Sequence, residues 1–370
     1  MFDIIFPRNG AVLNHNDGTE SADGLEITVS GIGGVCGNVT VNGVPAVCTG
    51  NGFAAKVTLR ERFSTIRAEL EDSYGRSIRE IQVVWDKASF KRYNFFIDDH
   101  IFLFTDLARE RPADIFEHFY LKFLREMHEK YGTKFTLNTF FGDDHDSAGF
   151  TLKEMPDCYK SQFQAASDWL RFAFHARSEF PDRPYQNCGA DKLAADYEQL
   201  ETELERIVGR ECIIPPVVLH WAMMRPEGFQ VLREHGVKAL SGQFINPRTG
   251  VDDNGGASFV CDVGYFMNLD ESRYLEAAGA YHDFRQNITF FRGDVTANLL
   301  TCEQIQKKLA AAVNDRREWL SFASHEQYSF PRYFNYIPDH FQRIETAIRI
   351  AHDNGYKPVF FAEGFLGNNA

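Results

Sequence analysis

The chain reads FFIDDH at Phe95–His100, where a continuous apolar run ends in two aspartates and a histidine. The same arrangement returns at Phe140–His145, which reads FFGDDH. Further apolar runs are followed within three residues by a histidine or an aspartate, at His175, His220, Asp294 and His325. Apolar runs without alternation are typical of strands that a parallel sheet buries on both faces. These runs therefore decide the fold class of the larger part of the chain.

Amphipathic stretches separate the apolar runs. The stretch that begins at Ile115, for example, places apolar residues at helical spacing and ends at Gly132, a residue suited to a helix C-terminus. Six or more alternations of strand and helix predict an α/β domain over residues 89–370, with a helix-covered parallel sheet. The sheet is either a barrel or an open doubly wound sheet.

Residues 1–88 have a different pattern. Leu25–Val29 alternates at period two, and Asn42-Gly43 lies between β-branched residues, which is a strong hairpin signal. Short strands recur about every ten residues, as in a small sandwich of immunoglobulin-like size. We predict an accessory all-β domain here, because the segment has no cluster of histidines, cysteines or carboxylates.

The composition excludes several function classes. The 370 residues include 39 basic and 52 acidic side chains, a net charge of −13. Such a chain repels nucleic acid and anionic lipid, so we expect neither as a partner. No apolar stretch is long enough to cross a bilayer, and the start of the sequence lacks the pattern of a signal peptide. Seven dispersed cysteines without a CxxC motif suit a reducing compartment, so a cytoplasmic location is expected unless a signal segment was removed.

The polar residues that follow the apolar runs predict a functional site. Loops at the carboxyl ends of parallel strands converge on one face, where α/β enzymes build their sites. Adjacent carboxylates such as Asp98 and Asp99 point in different directions from an extended chain, so one can bind a metal while the other faces a water. His175 and Glu179, four residues apart, can supply the remaining ligands.

These residues resemble the polysaccharide deacetylase family, metal-dependent esterases that remove acetyl groups from chitin, peptidoglycan and related glycans. The resemblance covers about residues 90–365. Phe96–His100 is similar to the family's Thr-Phe-Asp-Asp-Gly motif, and Thr139–Phe141 to its Thr-Phe-Phe strand. His175 matches the first histidine of the His-x-x-x-His motif, and Arg225–Gly228 loosely resembles the Arg-Pro-Pro-Tyr-Gly segment. A later match is Gly355–Val359, which is similar to the family's closing Gly-Tyr strand.

The resemblance implies a distorted (β/α) barrel of about seven strands and a hydrolase acting on carbon–nitrogen but not peptide bonds. It implies Asp98 as general base and His325 as general acid. One divalent ion would be bound by Asp99, His175 and Glu179. Zn²⁺ is the first expectation for this ion, with Mn²⁺ or another ion as the alternative. The sequence departs from the family at His100, which replaces a glycine, and at Glu179, which replaces a ligand histidine; the carboxylate favours oxygen-tolerant ions.

Several residues are assigned to substrate contact or to orienting the catalytic groups. The resemblance implies that Arg225 orients Asp98, while His220 and Asp294 follow apolar runs and Trp221 offers a face for a sugar ring. The substrate implied is an acylated carbohydrate. Two other functions stay open: a glycoside hydrolase that uses Asp98 and Asp294 without a metal, and a non-catalytic carbohydrate-binding protein with a degenerate metal site. The oligomeric state is not indicated by the sequence.

Overall fold

The computed structural model describes residues 1–33, 37–242, 265, 267–361 and 363–364, and it divides the chain into two compact units. The first unit comprises Met1–Phe90 with Ala278–Thr289, and the second comprises Lys91–Ala277 with Phe290–Glu363. The sequence pattern gave no sign that residues 278–289 belong with the first unit. There the backbone N–H of His282 donates to the carbonyl of Gly10, and Tyr281 forms a bridge with Ala11.

The first unit contains ten strands before residue 90. They are β1 Asp3–Phe6, β2 Val12–Leu13, β3 Gly18–Ser21, β4 Gly24–Ile32, β5 Asn38–Val41, β6 Val44–Pro45, β7 Val47–Thr49, β8 Gly52–Leu59, β9 Phe63–Asp72 and β10 Gly75–Trp85. One sheet has the order β1-β4-β8-β7 with β3 on β4, and the other has the order β2-β10-β9-β5-β6.

The pattern of this unit matches its sequence. Residues of β8 alternate between more and less buried positions, as expected when only one face of a sheet is covered. The predicted hairpin at Asn42-Gly43 is present: Val41 opposes Val44, and both turn residues have positive φ, 47° and 78°. Positive φ at both positions is the requirement of the tight hairpin turn that Asn-Gly favours.

The remaining helices and strands follow in chain order. They are β11 Arg92–His100, α1 Phe102–Glu110, α2 Phe119–Tyr131, β12 Phe135–Phe140, α3 Lys160–Ala165, β13 Leu170–Ala176, α4 Ala190–Ile207, α5 Gly228–Glu234, β14 Ala239–Gly242, α6 Leu269–Ala278, β15 Ala280–Asp283, β16 Ile288–Arg292, β17 Val295–Thr296, α7 Cys302–Asn314, β18 Trp319–His325, α8 His340–Asp353 and β19 Lys357–Pro358. No helix of the described residues is long and apolar enough to span a bilayer.

The second unit is built on a parallel sheet of order β13-β12-β11-β18-β17, in which β19 also pairs with β11. The predicted alternation of parallel strands and helices is therefore present. The pairings of the described residues leave this sheet open, so a closed seven-stranded barrel is not observed. The predicted strand Val217–Leu219 forms no strand pairing among the residues that the structure describes. The two prolines before it, Pro215 and Pro216, have no N–H to donate to a neighbouring strand.

The phenylalanine-rich runs form the core of this sheet. Every residue of β11 and of β12 is buried. The ring of Phe95 lies 5.6 Å from that of Phe135 and 5.9 Å from that of Phe322, so three neighbouring strands meet through aromatic contacts. Burying one such side chain stabilises the fold by roughly 1.5–3 kcal/mol. The core holds the carboxyl ends of these strands in a rigid frame.

Two of these strands contain a β-bulge where they end. In β11, Asp98 and Asp99 together oppose the single residue Asn138 of β12. In β13, His175 is the extra residue, because Phe174 pairs with Thr139 while Ala176 pairs with Phe140. A bulge bends its strand and re-aims the side chain it carries.

Candidate metal centre and acid–base groups

The bulge in β11 brings Asp98 and Asp99 to the same imidazole. Side chains that follow each other on a regular strand point to opposite faces, which was the expectation for this pair. Instead Asp99 has a φ of 65°, and its Oδ1 lies 3.2 Å from Nε2 of His175. Oδ1 of Asp98 lies 3.9 Å from Nδ1 of the same ring. Both carboxylates therefore face one site.

Two histidines at this site are oriented by backbone carbonyls. Nδ1 of His175 lies 2.9 Å from the carbonyl oxygen of Val218, and Nε2 of His220 lies 3.0 Å from that of Glu179. A carbonyl only accepts, so each of these nitrogens carries the proton and donates it. The other nitrogen of each neutral ring then presents a lone pair. Metal-binding histidines characteristically have such a second hydrogen bond.

Three ligand atoms converge at one point. Nε2 of His175 and Nδ1 of His220 are 3.3 Å apart, and they lie 3.2 and 3.4 Å from Oδ1 of Asp99. Three ligands held by a tetrahedral ion with bonds of ~2.05 Å would be about 3.3 Å apart. The residues present thus fit a divalent ion, and Asp99, His175 and His220 are the group of buried potential ligands found among the described residues.

The electrostatics of Asp99 support the same fit. Its Oδ1 is buried, and the ring nitrogens of His175 and His220 are its neighbours within hydrogen-bonding range in the described part of the chain. Burial opposes its ionisation, but the nearby histidines, His325 first, lower the pKa of Asp99 well below its ordinary value of 3.8. Burial likewise lowers the pKa of His175, and the charges of Asp98 and Asp99 more than reverse this effect and raise it. The site favours positive charge at its centre.

Asp98 has a different environment from its neighbour. Nδ2 of Asn138 donates to its Oδ1 at 2.7 Å. Burial raises the pKa of Asp98, although His175 and His325 oppose the rise. Two adjacent carboxylates whose pKa values are displaced in opposite directions can take different roles, an ionised ligand and a proton acceptor.

His325 lies across the strand pair from Asp98, as its Cα partner in β18. Its Nδ1 is 2.9 Å from Oδ1 of Asn298, which can only accept, so the ring is held with a proton on Nδ1. Behind it, His340 bridges the hydroxyls of Ser324 and Ser329, at 2.6 and 2.7 Å. The hydroxyl of Ser324 lies 3.5 Å from the same Oδ1 of Asn298, so this buried network reaches the amide that orients His325.

Glu179 does not join the ligand atoms. Its Oε2 lies 2.5 Å from Nε2 of His145, while its main-chain carbonyl accepts from His220. In place of Glu179 from the predicted set of Asp99, His175 and Glu179, the structure brings His220 to Asp99 and His175 as the third potential ligand; His220 was predicted for substrate contact or for orienting the catalytic groups. The i+4 spacing from His175 misled the prediction, because β13 ends at Ala176 and the chain then turns away from the cluster.

Two other assignments are also corrected. Arg225 is exposed and pairs with Glu227 at 3.3 Å, so it does not orient Asp98; Asn138 does. The ring of Trp221 has the guanidinium of Arg183 over it, 4.5 Å from the ring centroid. It does not offer the open face that sugar stacking would require.

Asp294 lies toward the other end of the sheet. It pairs with Arg292 and Arg317 and accepts from the backbone N–H of Ser321. Ser321 is four residues before His325 on β18, a distance of about 13 Å along a strand. Burial raises the pKa of Asp294 to about 6, in an environment of structural ion pairs. Asp294 is therefore not a partner for Asp98.

The sequence interpretation missed three residues near the site. Asn138 is the one amide in the buried strand β12, which reads FTLNTF, and an amide at a fully buried position was a usable signal. Asn298 follows β17 within a short turn and gave no such signal. Glu326, directly after His325, is fully buried; burial raises its pKa, and the three backbone N–H groups that donate to it oppose the rise.

No protein-family model matches the chain, and no curated protein matches it. Among solved structures, the chain is similar to a 4-alpha-glucanotransferase from Thermococcus litoralis, with 13% identity and a TM-score of 0.45 over 75% of this chain. It spans 40% of that protein's length. A putative alpha-galactosidase from Bacteroides fragilis matches over 96% of this chain and 80% of its own, with 10% identity and a TM-score of 0.33. At such TM-scores neither likeness bears on fold or function, which rest on the geometry above.

Proposed function

We propose that the protein is a metal-dependent hydrolase that removes acyl groups from a carbohydrate. The observation that carries this proposal is the convergence of Oδ1 of Asp99, Nε2 of His175 and Nδ1 of His220, at 3.2–3.4 Å from one another. Two imidazole nitrogens and a buried carboxylate oxygen this close together need a positive charge among them, either a proton on one ring or a bound cation.

The other residues suit the two proton transfers of acyl hydrolysis. A divalent cation held by the three ligands would supply a Lewis acid for the acyl carbonyl and make water a better nucleophile. Asp98, with its raised pKa and its oxygen held by Asn138, accepts a proton. His325, held by Asn298, protonates the leaving amine or alkoxide.

The rim beside the cluster supports a sugar as the substrate. Phe180 is 55% and Phe334 is 77% exposed, and both rings contact His145, the partner of Glu179. Exposed aromatic faces suit the apolar CH groups of a sugar ring, while an imidazole and a carboxylate can bind its hydroxyls. The backbone of Glu179 connects this rim to His220.

The test combines metal analysis with product analysis. We expect about one equivalent of a transition metal in purified protein, and acetate release from N-acetylglucosamine oligomers or O-acetylated glycans that chelation abolishes. Asp98→Asn should lower the rate by at least about 100-fold. Arg225→Gln, the matched control at an exposed residue, should retain the parent's rate. A purified protein without bound metal and without acetate release, in which Asp98→Asn does not differ from the parent, would refute the proposal and favour the non-catalytic alternative.

A glycoside hydrolase is the second candidate. The pair predicted for it, Asp98 and Asp294, is too far apart along the sheet, because two such carboxylates lie about 5–10 Å apart. It would have to use Asp98 with another carboxylate. Reducing-sugar release from the glycans in the same assay, without acetate release, would establish this second candidate instead.

A further inference from the structure

Glu326 is a fully buried carboxylate that binds the start of a helix. Its Oε2 accepts from the backbone N–H groups of Ile101 and Phe102, and its Oε1 from that of Leu103, each at 2.8 Å. The helix is α1, which begins immediately after the strand that carries Asp98 and Asp99. A residue far away in the chain thus satisfies the first turn of this helix.

Helix α1 has no cap of its own. Its N-cap residue is Ile101, which makes no side-chain hydrogen bond to the helix, and its first turn has no acidic residue. The first N–H groups of a helix have no partner within the helix, and leaving them unpaired in a buried position destabilises the fold. Glu326 removes that cost and also places a carboxylate at the positive end of the helix dipole.

Glu326 also binds the chain on the other side of Asp99. Its backbone N–H donates to the carbonyl of Asp98 at 3.0 Å. Asp99 lies between these two attachments and adopts a φ of 65°, a left-handed conformation that is unfavourable for a residue with a side chain. Such a conformation persists only when its surroundings hold it.

We propose that Glu326 is a positioning residue that holds the Asp98–Asp99 bulge in the conformation that directs Asp99 toward His175 and His220. This inference rests on the proposed function, because it takes Asp99 as a metal ligand. The new element is that Glu326, which would not contact the metal, influences the affinity of the site for a divalent ion. Residues that orient metal ligands typically change metal affinity by 10–100-fold when they are replaced.

The test is the affinity of the full-length protein for Zn²⁺, measured by competition with a chromophoric chelator. Glu326→Gln keeps the length of the side chain but turns an NH₂ group toward backbone donors. We expect it to weaken Zn²⁺ binding at least about 10-fold, with an unchanged far-ultraviolet circular dichroism spectrum. The control is Glu154→Gln, which removes a carboxylate that accepts from Thr151 in another helical cap. It should leave the Zn²⁺ affinity unchanged.

A folded Glu326→Gln variant that is less stable but binds Zn²⁺ like the parent would overturn the inference and leave Glu326 a purely structural role. A second measurement does not need the variant to fold. In the metal-free parent, the amides of Ile101, Phe102 and Leu103 should exchange slowly with deuterium, and fast exchange would contradict a preformed bulge. A parent that binds no Zn²⁺ would refute the proposed function itself, so the two failures are distinguishable.

Discussion

At the scale of single residues, His220 and Glu179 exchange the roles that the sequence suggested. His220 presents Nδ1 to the ligand cluster, whereas Glu179 contributes its backbone carbonyl to orient that ring. A ligand atom and an orienting group differ in what they give a metal. A ligand atom contributes a coordination bond, whereas an orienting group only fixes the direction of the ligand's ring. Substitution of each residue distinguishes these two roles.

We predict that His220→Ala lowers the affinity for Zn²⁺ by more than about 100-fold, because it removes one of three ligand atoms. Glu179→Gln should change the affinity less than about 10-fold, because its main-chain carbonyl remains. Chelator competition on both purified variants is the measurement. The opposite ranking would restore the ligand set read from the sequence, Asp99, His175 and Glu179.

At the scale of helices and strands, the irregular positions carry the chemistry and the regular positions carry stability. Asp99 and His175 both occupy bulges, whereas the capped helix α7 takes no part in the ligand cluster. The hydroxyl of Thr301 accepts from the backbone N–H of Gln304 at 3.3 Å, and Oε1 of Gln304 accepts from the backbone N–H of Thr301 at 2.8 Å. This reciprocal pair is a capping box.

Thr301→Ala should lower the free energy of unfolding of the second unit by about 1 kcal/mol, because it leaves an N–H of the first turn unpaired. Denaturant unfolding followed by tryptophan fluorescence measures this effect. Most of the signal comes from the second unit, which contains Trp169, Trp221 and Trp319. Thr301→Ser keeps the hydroxyl and should stay near the parent, and Zn²⁺ affinity should not change in either variant. Equal losses in Thr301→Ala and Thr301→Ser would show that the cap is not the cause.

At the scale of the whole molecule, the stability should depend on pH through buried neutral histidines. Burial lowers the pKa of His340 from 6.5 to about 3. Between those values the unfolded chain binds a proton that the folded chain does not, so stability falls as the pH falls from 6.5 toward 3. The contribution of one such group is at most about 1.4 kcal/mol per pH unit.

His340→Gln should therefore be less stable than the parent at pH 7 and should lose less stability on acidification, so that the two unfolding curves approach each other. The measurement is the free energy of unfolding at a series of pH values from 7 to 4. His352→Gln, at the exposed end of the same helix α8, is the matched control. If His340→Gln and the parent keep a constant difference at every pH, His340 is not the titrating group.

Much of the molecule follows from the order and type of its residues. The period of two in residues 1–88 predicted strands, and Asn42-Gly43 predicted the observed hairpin, because few residues tolerate two successive positive φ angles. The apolar runs predicted β11, β12, β13 and β18, since continuous burial is what a parallel sheet imposes. The residues that end those runs pointed to Asp98, Asp99, His175 and His325.

The tertiary structure alone decided how those residues are combined. His220, Asn138 and Glu326 reach the site from separate parts of the chain, and no local pattern records that they meet. The bulge at Asp98–Asp99 likewise depends on pairing with β12 and on the hydrogen bond from the backbone N–H of Glu326 to the carbonyl of Asp98. Local sequence determines which backbone conformations are low in free energy and which faces of helices and strands are apolar. Contacts between distant segments determine which conformations of higher free energy persist. In this protein such conformations bring the potential ligand atoms of Asp99, His175 and His220 together.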